Sequence, residues 1–155
     1  MTTDLDPYSK ALFDAVVAVF PAWLTARTRQ ILASGRVDLD SATTAEIDAV
    51  VVAATKEVTD ALMRLFATDV DDQATNPLHV IRSATRRATE YARSRGVSPV
   101  ARDEWDQRAL PHDLYSIGPI AWRDLGEDVH DAGISWGAWK AATVLSRRRA
   151  EGKIQ

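Results

Sequence analysis

The sequence predicts an all-α fold, and three observations predict it: apolar stripes at helical period, caps and breakers that agree with those stripes, and no convincing strand pattern. With 155 residues, 46% of them apolar, and 19 Lys+Arg against 22 Asp+Glu, the chain can bury a core as one domain without disulfides or a structural metal. It has no Cys, which excludes thiolate chemistry and Cys-based zinc sites, and its 3 His leave little material for a three-histidine centre.

The first stretch opens with Asp6 as cap and Pro7 at the first helical position, and Tyr8, Leu12, Val16, Phe20, Trp23, Leu24 and Ile31 then mark an apolar stripe that ends at Gly35. A helix over 7–34 follows. Pro21 lacks the donor for the Val17 carbonyl and crowds it, so a kink or a split into two shorter helices is expected near Phe20. The second helix is expected to start at the capping box Thr43-Thr44-Ala45-Glu46 and to carry the seam Ile47, Val51, Ala54, Val58, Leu62, Leu65. Three acids in 69–76 break that seam, and Asn76-Pro77 opens a third long helix that ends at Gly96.

Beyond Gly96 the texture changes, because Pro99, Pro111, Pro119, Gly118, Gly126 and Gly133 punctuate a stretch that also holds Trp105 and Trp122. The expected organisation is one domain over 1–155. It comprises a helical core 7–96, an irregular wrapping segment 97–134, an amphipathic C-terminal helix 135–150 with Ala138, Ala141, Ala142 and Leu145 on one side, and a tail 151–155.

No window approaches the ~18 unbroken apolar residues of a membrane span. The apolar run over 15–24 is preceded or interrupted by Asp4, Asp6 and Asp14 and lacks the positive start of a secretion signal, so a cytoplasmic protein is expected. The bias to 15 Arg over 4 Lys, with 25 Ala, is that of GC-rich coding.

Three constellations are candidates for function. Arg82, Arg86, Arg87, Arg93, Arg95 and Arg102 meet a single acid, Glu90, and at ~100° per residue Arg82, Arg86 and Arg93 share one face while Ile81, Ala84, Ala88 and Ala92 share another. With Arg147, Arg148 and Arg149 such a face suits phosphates, which makes a nucleic-acid accessory role the alternative reading. Against it stand the sequence pI of 5.6, the lack of aromatics on the stripe, and an acidic second helix that can pair with the arginines.

The second constellation is polar: His112, Asp113, Asp128 and His130 are the candidates for a metal-assisted hydrolase. Their spacing fits no strong zinc signature, and Asp128 and His130 share a side only in an extended segment. No phosphate loop, dinucleotide fingerprint or serine elbow is present, so no cofactor is expected and catalysis of familiar mechanism is not.

The third is aromatic. Trp105, Trp122, Trp136 and Trp139 lie within 35 residues of one another, either filling gaps between Ala-rich helices or standing exposed as anchors. The leading expectation is a non-enzymatic protein-interaction or adaptor protein. These four tryptophans would anchor it, Arg102, Arg123 and Lys140 would form its charged rim, and self-association through the second-helix seam is a variant.

The segments Asn76-Pro77-Leu78, Gly96-Val97-Ser98-Pro99-Val100-Ala101-Arg102-Asp103, Pro111-His112-Asp113-Leu114-Tyr115 and Trp136-Gly137-Ala138-Trp139-Lys140-Ala141 resemble small uncharacterised actinobacterial proteins. The resemblance covers roughly the second half. It implies a bacterial cytoplasmic setting and carries no activity, cofactor or site.

Overall fold

The structure, a computed structural model, describes residues 5–67, 76–97, 117 and 121–152. Among them there is no strand, and the fold is all-α. The chain forms α1 (Pro7–Ser34), α2 (Ser41–Phe66), α3 (Pro77–Ala84), α4 (Arg86–Ser94), a single 3-10 turn (Trp122–Leu125) and α5 (Glu127–Ala150).

α1 is the central element. Its stripe Leu12, Val16, Phe20, Leu24, Ile31 is buried, and α2, α4, the 3-10 turn and α5 all pack on it. The link over 35–40 is too short for anything but an antiparallel α1–α2 pair. α2 turns its own seam, Ile47 through Leu62, onto α1, α3 and α4, while Leu65 stays half-buried. That seam is occupied within the chain, so it offers no free face for self-association.

Each helix start can be read from local chemistry. Asp6 Oδ1 accepts from the Ser9 amide at 2.8 Å with Pro7 behind it, and Asn76 Oδ1 accepts from the Leu78 amide at 3.0 Å with Pro77 behind it. α2 begins two residues earlier than its Thr43–Glu46 box, because Asp40 caps it by accepting from the Thr43 amide at 2.8 Å. The Thr43 hydroxyl, thereby freed from capping, accepts from Arg95 Nη1 at 2.9 Å and ties the end of α4 to the start of α2.

The ends of α1 and α4 are built alike and meet. In each, the residue two past the helix returns its amide three positions back into the last turn: Arg36 N–H to Ala33 O with Val37 N–H to Leu32 O, and Gly96 N–H to Arg93 O with Val97 N–H to Ala92 O. The motif needs a left-handed residue, which is Gly96 (φ 86°) in α4 but Arg36 (φ 63°) in α1. Gly35, the expected terminator, serves a different purpose: a Cβ there would collide with the Val97 side chain, so the glycine lets the two helix ends close on each other.

Of the two alternatives at Pro21, the split does not occur: α1 runs through it as one helix. The proline costs about 3 kcal/mol against alanine, but Phe20 and Leu24 on either side are both fully buried and a break would expose one of them. Two features differ from the sequence expectation. The expected third long helix is instead two short ones, since the Arg82 carbonyl accepts from the Thr85 hydroxyl at 2.7 Å where the helix breaks. The C-terminal helix starts at Glu127, not Ser135, so the third long helix of the bundle is α5 and the irregular segment is correspondingly shorter. Gly133 lies inside α5 because the Trp122 ring occupies the place of its side chain, 2.5 Å from where a Cβ would stand.

α1 is also long and apolar enough to cross a membrane by length and composition alone. In this fold its apolar stripe faces the core.

Three outcomes are expected. Arg36→Gly relieves a left-handed side chain and raises stability by about 1 kcal/mol in urea unfolding, whereas Gly35→Ala lowers it. Asp40 is held below its usual value of 3.8, first by the Thr43 amide, then by the Thr43 side chain, with Arg95 adding attraction. A carboxyl lowered on folding contributes stability that is present above the unfolded pKa and is lost as pH falls through the folded one. Asp40→Ala should therefore lower the Tm at pH 7, and the gap from the native chain should close only below about pH 4.

Candidate functional site

The tryptophans divide between core and surface. Trp136 is only 9% exposed and its indole Nε1 donates to the Ser9 hydroxyl at 3.0 Å, a buried bond between the last helix and the first turn of α1. Phe66 at the end of α2 meets the same ring, with centroids 5.8 Å apart, and Lys140 Nζ lies 5.3 Å over its face. Trp136 is thus a core residue, not an anchor for a partner. An indole is large enough to span three helices and polar enough to need the serine.

Trp122 is half-buried in the Gly133 notch. Trp139 is half-buried and stacks on Tyr8 with ring centroids 5.7 Å apart and planes 17° from parallel, while Tyr8 itself is 44% exposed. Trp105 and Arg102 lie outside the described residues.

These contacts fix the direction of α5. Trp136 meets Ser9, Trp139 meets Tyr8, and the preceding Val129 and Gly133 are buried, so α5 runs antiparallel to α1. Beyond Lys140 about ten residues project ~15 Å past the start of α1. Among the described residues of α5, none after Trp136 is buried.

The stripe Ile134, Ala138, Ala141, Leu145 points away from α1. At 100° per residue these four lie within about 60° of each other, on the side opposite Val129, Gly133 and Trp136. Ile134 is 60% and Leu145 39% exposed, and both alanines are exposed. The sequence expectation placed Ala138, Ala141, Ala142 and Leu145 on one side of the last helix, and all four are exposed; Ile134, which lay outside the expected helix, joins the stripe. Gly133 and Trp136 supply the core side instead, a register that a glycine and a bulky indole at matching spacing do not announce.

Arg123, expected as a rim charge, is exposed and lies over the start of α5. Its guanidinium is 3.2 Å from Glu127 and donates from Nη2 to His130 Nε2 at 3.1 Å. A cation on that ring nitrogen occupies the lone pair a metal would need. Asp128 and His130 sit in the first turn of α5, about 200° apart around it, and point to different sides. His112 and Asp113 lie outside the described residues. Among those described, no group of three His, Asp or Glu side chains is placed to hold a metal ion.

The arginine helix is amphipathic as read: Ile81, Ala84, Ala88 and Ala92 are buried, and Arg82, Arg86 and Arg93 are exposed. The pairing with helix two is there as well. Arg87 Nε donates to Glu57 at 2.7 Å, and Arg95 reaches Glu46 at 3.5 Å besides its bonds to Thr43 and Tyr91. Arg147 and Arg149 are exposed and Arg148 half-buried in the last turn of α5, where they complement the helix dipole. No family model, curated protein or solved structure matches the chain.

The division between core and surface is testable by urea unfolding. Trp136→Ala should cost about 3–5 kcal/mol, since it empties the junction of three helices, and Trp136→Phe about 1–3 kcal/mol, since it leaves the Ser9 hydroxyl buried without its donor. Trp139→Ala, which loses one exposed stack, should cost only about 1 kcal/mol.

Proposed function

We propose that the protein acts by binding protein chains rather than by catalysis, with α5 as its docking element and a cytoplasmic setting. One observation carries the reading: Ile134 and Leu145 stand exposed on a single continuous stripe with Ala138 and Ala141 between them. Isolated exposed apolar residues are ordinary, whereas an ordered row of them on a helix suits a partner helix. The other long helices turn their equivalent stripes inward.

The Tyr8–Trp139 stack, beside the base of the projecting arm, adds an aromatic edge to this surface, and Lys140 supplies its rim charge. Arg87 and Arg95 are engaged with Glu57, Glu46 and Thr43, which leaves Arg82, Arg86 and Arg93 as the exposed face on which the alternative nucleic-acid reading rests.

A photo-crosslinking residue placed at Ala138, and separately at exposed Glu90 on α4, tests this in native lysate. Protein adducts at Ala138 that are missing at Glu90 and vanish with Leu145→Glu are expected. Equal adducts at both positions, or none, would remove α5 as a docking element.

A further inference from the structure

We propose that the occupant of the α5 stripe is a second copy of this chain, packed antiparallel along α5; the proposal rests on the reading of α5 as the docking element and names its partner.

Spacing is the first argument. Along the free side of α5, Asp131, Ile134, Ala138, Ala141, Leu145 and Arg148 follow at steps of three, four, three, four and three. That is the heptad alternation of a two-helix seam. The seams that α1 and α2 bury in their own core run at longer mean steps, about 3.7 and 3.8 residues, as in straight helices that do not supercoil. The free stripe therefore has a different period from the chain's internal packing, and it is the period of a helix pair.

Charge along the same seam selects the partner and its direction. Asp131 closes the apolar stripe at one end, and Arg148 with Arg149 closes it at the other. A parallel second copy would set aspartate against aspartate and arginine against arginine. An antiparallel copy sets Asp131 against Arg148 and Arg149 of the second copy at both ends at once, as a two-fold contact requires. Glu127 adds little, being already paired with Arg123.

The same arrangement orders the middle by size. Ile134 lies in one layer with Leu145 of the second copy, and Ala138 with Ala141 of the second copy, so large residues flank a small centre that lets the backbones approach closely. The projecting arm of each copy gains a neighbour along the first half of the other copy's α5. A single helix pair is at the low end of stable interface sizes, so association in the micromolar range is expected.

Sedimentation equilibrium of the full chain tests the proposal, with circular dichroism confirming the fold of each variant. The native chain should be a dimer at tens of micromolar, and Ala141→Glu should make it a monomer. Asp131→Arg should raise the dissociation constant at least tenfold, and adding Arg148→Asp and Arg149→Asp to it should restore the native value to within a few-fold. That rescue cannot arise in a parallel pair. A native monomer at 100 µM, a dimer indifferent to Ala141→Glu, or failure of the charge swap to rescue would each overturn the proposal. Should the native chain be monomeric while Ala138 still crosslinks to a different protein, α5 stands as the docking element and only the second copy is excluded; monomer without adducts removes both.

Discussion

The bond from the Trp136 indole to the Ser9 hydroxyl is the contact on which the rest of the arrangement depends. It joins residues 127 positions apart, and it is the only described hydrogen bond that ties α5 to the first helix. A buried indole N–H without an acceptor would lose its hydration for nothing in return, so the ring can enter the core only in the register that brings it to Ser9. That register sets Trp139 on Tyr8, Phe66 on the other side of the indole, and Gly133 under Trp122. It also determines which side of α5 is left facing outward.

Glycine and arginine have roles in this bundle that their residue types do not advertise. Gly35 and Gly133 are both places where another side chain, Val97 or Trp122, occupies the volume of a missing Cβ. Neither acts as a helix breaker. Arg95 clamps α4 to the start of α2 through Thr43 and Glu46, and Arg123 braces the start of α5 through Glu127 and His130. The ion pairs among these, reaching exposed carboxylates, add little stability individually, but each helps fix the angle at which one helix meets the next.

How much of this was legible in the sequence follows from the range of the forces involved. The caps at Asp6 and Asn76, the stop at Gly96 and the buried positions of α1, α2 and the arginine helix are set by neighbours within a few residues, and reading them required only spacing and cap chemistry. Whether Pro21 splits α1, and the early start of α5, were not legible, because each is decided by packing against a distant element, which overrides a local preference worth a few kcal/mol. The break at Thr85 is local, a hydroxyl turned back onto the Arg82 carbonyl, but a threonine inside a helical pattern does not announce it. The candidate site suffered in the same way. Trp136 and Trp139 are three residues apart and chemically identical, and only the location of Ser9 makes one of them core. Ala138, Ala141, Ala142 and Leu145 formed a recognisable side of the last helix, but Ile134 lay before its expected start, and a stripe facing a partner and a stripe facing the core have the same pattern.

The arm formed by the last turns of α5 gives the molecule a gradient of order along a single helix. Up to Trp136 the backbone is clamped by buried side chains; past Lys140 none of the described side chains of α5 is buried. About ten residues are too few to be helical by themselves in water, because nucleation is unfavourable. Here the nucleus is supplied by the clamped half, and each further turn is propagated outward from it. Amide hydrogens should accordingly exchange faster toward Ala150 than near Val129, making α5 a helix that is rigid at its root and responsive at its tip.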